Sequence, residues 1–235
     1  MSNNELGFAY ENDVISSLVS AGIAGTIHEG AGASATAADA DFMVNGKRYL
    51  LEIKKDTDAQ MGGTSVRYDE GEFEIVSDTV DENTASLIIS ALAPKTPHIE
   101  KLLSAIGGEK FPTTCDKYTW TQAQQKGLLK PINAKVRKNT QFIIDHYKDK
   151  GIHYIQIGGA GLFYLDENPA NLPIPKLEGE IDIELRAGRS GSSLNAAGQR
   201  RVSGLLRAQA RLKFKGSSPI SLDSEVGIAQ IKGTQ

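Results

Sequence analysis

The sequence holds only one cysteine, Cys115, among its 235 residues, and aromatic residues make up 6%. A single cysteine excludes an intrachain disulfide framework and a cysteine-rich zinc site within one chain. The four histidines show no HxH or HxxxH spacing. Walker-type, G-x-S-x-G and zinc-finger patterns are also missing, and the Gly-rich turn at 158–161 joins two strand-like runs, unlike a dinucleotide-binding loop. The sequence therefore has no motif of a P-loop nucleotide-binding protein, a G-x-S-x-G hydrolase, a zinc finger or a dinucleotide-binding enzyme.

Long apolar runs are also missing. No run approaches the ~18 residues that a membrane-spanning helix needs, and the first residues, MSNNELGFAYENDV, contain acids and no apolar core. We therefore expect neither a signal peptide nor a membrane anchor. A lone cysteine fits a reducing interior, so the sequence predicts a cytoplasmic protein without a disulfide partner.

Charge is distributed unevenly, although the net charge is only −3. Residues 1–100 hold 17 acidic and 6 basic residues, whereas residues 186–215 hold eight basic residues and no acidic one. A local basic stripe can contact phosphates even when the whole chain is slightly acidic. The distribution permits a polyanionic partner without requiring one.

Periodicity predicts an α/β protein. Helical patterns lie over residues 4–20, within 84–106 and within 121–150, and strand-like runs lie over 153–165, 181–185 and 202–214. The last two runs alternate between apolar and polar side chains, which predicts a C-terminal antiparallel β-hairpin. Residues 56–83 are polar and acidic, and we expect a loop with short strands there.

Asn45-Gly46, between two strand-like runs, is the strongest short-range hairpin signal in the chain, because a type I′ turn needs φ > 0 at both central residues. With this dipeptide as the turn, Asp41 faces Leu50 and Asp39 faces Glu52. Side chains alternate along a strand, so the charged residues share one face. That face carries Asp39, Asp41, Glu52 and Lys54, and the other face carries Phe42, Val44, Tyr49, Leu51 and Ile53.

Three carboxylates on one hairpin face repel one another unless a cation neutralises them. Carboxylate oxygens are the ligands that Mg²⁺ takes, with waters and substrate phosphate completing the octahedron. The metal activates a water and stabilises charge on the phosphate. Lys54, on the same face as Glu52, could orient or activate that water or neutralise the charge that develops on phosphorus.

Ala40-Asp41-Phe-Met-Val, the turn and Leu-Glu52-Ile-Lys54 resemble the signature of the PD-(D/E)xK nuclease superfamily, which includes restriction endonucleases, Holliday-junction resolvases and phage exonucleases. The resemblance implies a restriction-endonuclease-like fold, in which helices flank a mixed central β-sheet, and DNA cleavage with Mg²⁺, which Mn²⁺ can replace. It also implies that Asp41 and Glu52 are metal ligands and that Lys54 is the catalytic lysine. The helix before the hairpin often supplies one more acid, and Glu11 occupies the matching position.

The resemblance covers roughly residues 5–70, and two positions depart from the pattern or extend it. Alanine rather than proline precedes Asp41. Asp39 stands thirteen residues before Glu52, a spacing used by some resolvases, so Asp39 could replace or assist Asp41. We favour Asp41 as the main ligand because an apolar strand begins directly after it.

The alternative interpretation of this hairpin is a solvated face with a Glu–Lys surface pair, which is common and contributes little to stability. The run LLEI at 50–53 argues against it, because such an apolar strand is typical of the centre of a sheet.

Two groups of residues are candidates for DNA contact. Gln60, Ser65 and Arg67 follow the hairpin beside a Gly-Gly step, and Arg186, Arg189, Arg200 and Arg201 belong to the basic stretch. We expect a flexible basic loop at 186–193, whose phosphate contacts would be independent of sequence. Part of the stripe has another explanation, in which Glu180, Asp182 and Glu184 pair across the hairpin with Arg207, Arg211 and Lys213.

Together these features predict a Mg²⁺-dependent deoxyribonuclease, of the restriction-like or phage-type endonuclease kind. We expect a nuclease core over 1–170 and a C-terminal β extension over 171–235 packed on it. Because cutting a duplex needs two active sites, we also expect the protein to act on DNA as a homodimer. The alternatives are a Holliday-junction resolvase, or a catalytically inactive nucleic-acid-binding or assembly protein on the same fold.

Overall fold

The structure is a computed structural model that describes residues 3–24, 38–76, 80, 82–136 and 140–233. The helices are α1 (Asn3–Ser20), α2 (Glu82–Leu92), α3 (Thr96–Ile106), α4 (Lys117–Gln125), α5 (Thr140–Lys148) and α6 (Glu225–Gly233). The strands are β1 (Ala40–Val44), β2 (Lys47–Lys54), β3 (Gln60–Asp69), β4 (Glu72–Ile75), β5 (Thr113–Asp116), β6 (Ile132–Val136), β7 (Tyr154–Ile157), β8 (Gly161–Tyr164), β9 (Glu178–Leu194) and β10 (Arg200–Lys215). The predicted mixed α/β class is confirmed.

The chain divides into two compact units, each made of separate stretches of sequence. The first unit contains residues 1–59, 138–180 and 212–235, and the second contains residues 60–137 and 181–211. This division does not follow the boundary expected at residue 170. The difference arises because β9 and β10, which we expected to form an extension, each contribute residues to both units.

The first unit is built on a mixed four-stranded sheet in the order β1-β2-β7-β8. β2 pairs antiparallel with β1 and parallel with β7, and β8 pairs antiparallel with β7. α1 and α6 pack on one face of this sheet, in a cluster of buried apolar side chains. The cluster includes Val14, Leu18, Phe42, Val44, Tyr49, Leu51, Ile53, Ile228 and Ile231. The apolar face predicted for the hairpin is therefore a core face.

The second unit is built on a six-stranded sheet in the order β4-β3-β10-β9-β6, with β5 also paired to β10. β10 is therefore a central strand, and the predicted C-terminal strand pair is present but is not a peripheral extension. Its alternating residues are buried as predicted, including Val202, Leu206, Ala208 and Ala210.

Three local predictions within the second unit differ from the structure. Residues 56–83 were expected to be a loop with short strands, and they contain the ten-residue strand β3 as well as the short strand β4. Residues 186–193, expected to be a flexible loop, form the outer half of β9. Residues 132–136 form a strand rather than part of a helix, because they pair with residues 181–185 of β9. Pairing with a distant strand decides the conformation of β3, which pairs with β10, and of β6, which pairs with β9, whereas β4 and β9 pair with their sequence neighbours β3 and β10.

No helix within the described ranges has both the length and the apolar character that crossing a bilayer requires.

Candidate active site

The hairpin of β1 and β2 has the register predicted from its Asn-Gly turn. Val44 lies opposite Lys47, and Asp41 lies opposite Leu50. Asn45 and Gly46 have φ values of 52° and 71°, as a type I′ turn requires. The register therefore places the predicted charged residues on the face opposite to the apolar cluster.

Asp39, Glu52 and Lys54 form a compact charged group on this face. Glu52 Oε1 lies 2.5 Å from Lys54 Nζ, and Asp39 Oδ2 accepts a hydrogen bond of 2.8 Å from the backbone N–H of Ile53. Asp39 and Glu52 are only 8% and 5% exposed. Glu11 of α1 joins the group, because its carboxylate interacts electrostatically with Lys54 and Glu52. The structure thus brings together four of the five predicted site residues.

Asp41 has a different environment from Asp39. Its carboxylate forms an ion pair with Arg48 of β2, whose Nε lies 2.5 Å from Asp41 Oδ2. Arg48 lies two residues before Leu50, on the turn side of the hairpin, whereas Asp39 accepts a hydrogen bond from the strand beside Glu52. This geometry favours Asp39 as the partner of Glu52, in contrast to our preference for Asp41 from the sequence.

Burial and the proximity of the carboxylates to one another raise the pKa values of two of them. Burial, followed by repulsion from Glu52, raises the pKa of Asp39 to about 7, although Lys54 and the Ile53 amide act in the opposite direction. Burial also raises the pKa of Glu11. A carboxylate that is reluctant to ionise without a counter-charge is typical of functional sites, and a bound divalent cation would remove the penalty.

Lys54 is protonated at neutral pH in this environment. Burial lowers its pKa, but Glu52, Tyr147 and Asp39 outweigh that effect, so the pKa of Lys54 is raised overall. Its side chain is largely buried, with 18% of its surface exposed. The site therefore presents Lys54 as a cation and hydrogen-bond donor rather than as a general base.

The backbone at Lys54 and Lys55 is packed closely against the end of β7. The N–H of Gly158, directly after β7, donates a 2.8 Å hydrogen bond to the carbonyl oxygen of Lys54. A Cβ at position 158 would overlap the carbonyl oxygen of Lys55 and would lie 3.1 Å from Cζ of Tyr10. Only glycine fits here, because the obstacle is backbone and cannot move aside as a side chain can.

We expect Gly158→Ala to lower the free energy of unfolding by about 3 kcal/mol, as forced overlap in a packed region does. Denaturant unfolding monitored by circular dichroism measures this. Gly159→Ala is the matched control, because a Cβ there meets nothing within 4 Å and only its φ of 74° is unfavourable, which costs about 1–2 kcal/mol. If both variants lost the same free energy of unfolding, the backbone around position 158 would accommodate the added Cβ without strain, and the prediction would be contradicted.

A buried polar network ties α1 to the end of this sheet. Gln156 of β7 donates hydrogen bonds to the hydroxyls of Tyr10 (3.0 Å) and Ser221 (2.8 Å), and its carbonyl oxygen accepts from the N–H of Leu222 (3.0 Å). Tyr10 in turn donates to Asp223 at 2.7 Å. Tyr10 precedes Glu11 in α1, so this network holds the helix that carries Glu11. We did not identify Gln156 from the sequence, although a polar residue inside the apolar run YIQI was a usable signal.

Tyr147 of α5 also belongs to this site and was predicted only as part of an apolar helix face. It is 1% exposed, and its hydroxyl has no hydrogen-bond partner among the described residues. Burial is the main cause of its raised pKa; Lys54 acts in the opposite direction, and Glu52 and Asp39 raise the pKa further. A neutral, buried hydroxyl thus lies within electrostatic range of the three charged side chains.

The residues predicted to contact DNA all lie in the second unit. Gln60, Ser65 and Arg67 belong to β3, where Arg67 pairs with Glu74 at 2.8 Å. Arg186 pairs with Glu184 on the same strand, and Arg201 donates to the Thr114 carbonyl oxygen at 2.7 Å. Arg200 is exposed at the start of β10. These ion pairs differ from the cross-strand pairs that we considered from the sequence.

Arg189 lines an open groove of the second unit, with a volume of about 530 Å³. Trp120, Gln124 and Lys130 also line this groove. Arg189 and Lys130 are both exposed, so the groove combines two cationic side chains with an apolar wall.

The donor set of the first unit fits a magnesium ion better than a transition metal. Within the described part of the chain, no three His, Cys, Asp or Glu side chains converge as a preformed metal cage. Mg²⁺ does not need such a cage, because it takes one or two carboxylates and retains several waters. Asp39 and Glu52 supply two carboxylates, and the hydroxyl of Tyr147 adds a polar atom that has no hydrogen-bond partner among the described residues.

Neither a protein-family model, nor a curated protein, nor a solved structure matches this chain.

Proposed function

We propose that the protein is a Mg²⁺-dependent nuclease that hydrolyses phosphodiester bonds in DNA. The observation that carries the proposal is the buried pair of carboxylates, Asp39 and Glu52, beside the ammonium of Lys54. The resemblance of the hairpin to the PD-(D/E)xK signature supports it, and so does the mixed sheet of the first unit with α1 on its apolar face. We accordingly propose a restriction-endonuclease-like fold for this unit.

Each residue of the site has a distinct role in this proposal. Asp39 and Glu52 would hold the cation, with Glu11 as a further acid, and Mg²⁺ bound there would activate a water and neutralise phosphate charge. Lys54, held as a cation by its neighbours, donates hydrogen bonds to the scissile phosphate and stabilises the charge that develops there. The Gln156–Tyr10 network orients α1 and thereby Glu11.

DNA would be held by phosphate contacts, for which we propose Arg189 and the other predicted arginines of the second unit. Such contacts give affinity that falls steeply with salt. Because each site cuts one strand, cleavage of a duplex would require a homodimer or two successive events. We propose a restriction-like or phage-type endonuclease over a junction resolvase, since resolvases of this type are usually smaller.

The test is cleavage of supercoiled plasmid and linear duplex DNA with Mg²⁺ and with EDTA. We expect Mg²⁺-dependent cutting that falls by about 100-fold or more in Glu52→Ala and Lys54→Ala, since each removes a charge that acts on the transition state. Asp69→Ala and Lys110→Ala are the matched controls, because they break an exposed ion pair of 3.2 Å and should leave cleavage unchanged. Discrete bands or a smear would distinguish specific from general cleavage.

The proposal fails if the folded wild-type protein cuts no duplex, branched or single-stranded DNA with either Mg²⁺ or Mn²⁺. The chain would then be better explained as a nucleic-acid-binding or assembly protein. Preferential cutting of four-way junctions would instead identify a resolvase.

A further inference from the structure

Tyr147 carries the one side-chain hydroxyl on the inner face of α5, together with the buried side chains of Ile143 and Ile144. Its oxygen is buried and has no hydrogen-bond partner among the described residues. Native proteins leave few buried polar groups unpaired, because such a group has lost its hydrogen bonds to water without replacement. The hydroxyl therefore calls for a partner other than the residues that the structure describes.

Another buried tyrosine of the same unit, Tyr154, has hydrogen-bond partners for its hydroxyl. The Tyr154 hydroxyl donates to Asn168 Oδ1 at 3.0 Å and accepts from the Ala170 N–H at 2.8 Å. Tyr154 belongs to the apolar cluster on the opposite face of the sheet. Burial of a tyrosine in this unit therefore does not by itself leave the hydroxyl without a hydrogen-bond partner.

The surroundings of Tyr147 identify the kind of partner. Lys54, Glu52 and Asp39 all act electrostatically on its hydroxyl, so the hydroxyl lies within electrostatic range of the two carboxylates that would hold the cation. The hydroxyl stays neutral because burial raises its pKa, and a neutral phenol both donates and accepts hydrogen bonds. Mg²⁺ keeps several of its waters when carboxylates bind it, and such waters need hydrogen-bond partners on the protein.

We propose that the Tyr147 hydroxyl hydrogen-bonds a water in the hydration shell of a divalent cation held by Asp39 and Glu52. Tyr147 is in this view a positioning residue, which acts on the metal through the water. The inference rests on the proposed metal-dependent function and adds to it a residue outside the hairpin. Outer-shell partners of this type typically change metal affinity by about 10–100-fold.

The experiment compares the full-length wild type with Tyr147→Phe, which removes only the hydroxyl, and with Tyr154→Phe as the matched control. Mg²⁺ binding is measured by titration calorimetry, and the melting temperature is measured in EDTA. We expect Tyr147→Phe to bind Mg²⁺ about tenfold more weakly and to melt at the same or a higher temperature without metal, because an unpaired buried hydroxyl has been removed. We expect Tyr154→Phe to melt at a lower temperature and to bind Mg²⁺ like the wild type.

Opposite signs for metal affinity and metal-free stability are the outcome that a purely structural role cannot produce. Unchanged Mg²⁺ affinity in Tyr147→Phe, or a fall in melting temperature equal to that of Tyr154→Phe, would overturn the inference while leaving the nuclease proposal intact. A wild type that binds Mg²⁺ and shows the Tyr147 effect, but cuts no DNA, would support the inference and overturn the nuclease proposal. A wild type that binds no divalent cation would overturn both.

Discussion

Asp39→Asn should lower Mg²⁺-dependent DNA cleavage by about 1000-fold, whereas Asp41→Asn should retain activity within about fivefold. A metal ligand contributes several kcal/mol to stabilising charge in the transition state, and each factor of ten in rate corresponds to about 1.4 kcal/mol. Asp39 lies beside Glu52 and Lys54, so its charge is the one available to a cation there. Asp41 is instead neutralised by Arg48.

The two substitutions are well matched, because both replace a buried carboxylate by its amide on the same hairpin face. The asparagine at position 39 can still accept the hydrogen bond from Ile53, so the fold should be retained. Initial rates of plasmid nicking, with Mg²⁺ affinity from calorimetry, measure both effects. The reverse result, an inactive Asp41→Asn and an active Asp39→Asn, would assign the metal to Asp41 as the sequence signature first suggested.

The metal-free protein should lose stability as the pH rises from about 4 to about 7, and Asp39 should account for much of the loss. The pKa of Asp39 is about 7 in the folded protein, whereas an aspartate of an unfolded chain has a pKa of about 3.9. Between these values the folded state holds a proton that the unfolded state has released. The free energy of unfolding therefore falls with rising pH.

Because the pKa of Asp39 is raised on folding, its contribution to stability is confined to low pH. The stabilising contribution is fully present below pH ~4, where both states are protonated, and is lost once the pH passes about 7. Glu11 acts in the same direction, because its pKa is also raised. Lys54, whose unfolded pKa is about 10.4, does not titrate in this window.

Denaturant unfolding in EDTA at several pH values between 4.5 and 8 measures the effect, with Asp39→Asn as the reference. We expect this variant to be more stable than the wild type at pH 8 by a few kcal/mol, at about 1.36 kcal/mol per pKa unit, and to be nearly equal at pH 4.5. Added Mg²⁺ should stabilise the wild type more at pH 8 than at pH 5, because the cation binds the ionised carboxylate. A difference between wild type and variant that does not change with pH would contradict the expected environment of Asp39.

Removing the Asp39 carboxylate should therefore abolish the proposed cleavage activity and stabilise the metal-free protein at the same time. A trade-off between activity and stability of this kind is common where a functional site holds like charges close together, because the repulsion that destabilises the fold is needed for the function.

Much of the candidate site could be predicted from local patterns. Asn45-Gly46 specifies a two-residue turn through its backbone conformation, and that turn determines which residues of β1 and β2 are opposite. Alternation of side chains then separates the charged face from the apolar face, whatever the rest of the chain does. The charged set on one face and the buried set on the other were accordingly both predicted correctly.

The tertiary structure was needed to distinguish residues that local patterns leave equivalent. Asp39 and Asp41 lie two residues apart on the same face, so the alternation of side chains cannot distinguish their roles. Their neighbours do, because Arg48 pairs with Asp41 whereas Glu52 lies near Asp39. Ile132 and Val136 fit the spacing of a helix and of a strand equally, and pairing with β9 made them a strand.

What the sequence determined by itself is the hairpin, its register and its polarity, because these depend on backbone preferences over fewer than twenty consecutive residues. What only the tertiary structure decided is which groups surround the hairpin. Tyr147 and Gln156 lie about one hundred residues further along the chain, and their roles depend on long-range packing. A buried hydroxyl and an apolar residue produce the same helical periodicity, so the unpaired oxygen of Tyr147 became visible only once its neighbours were known.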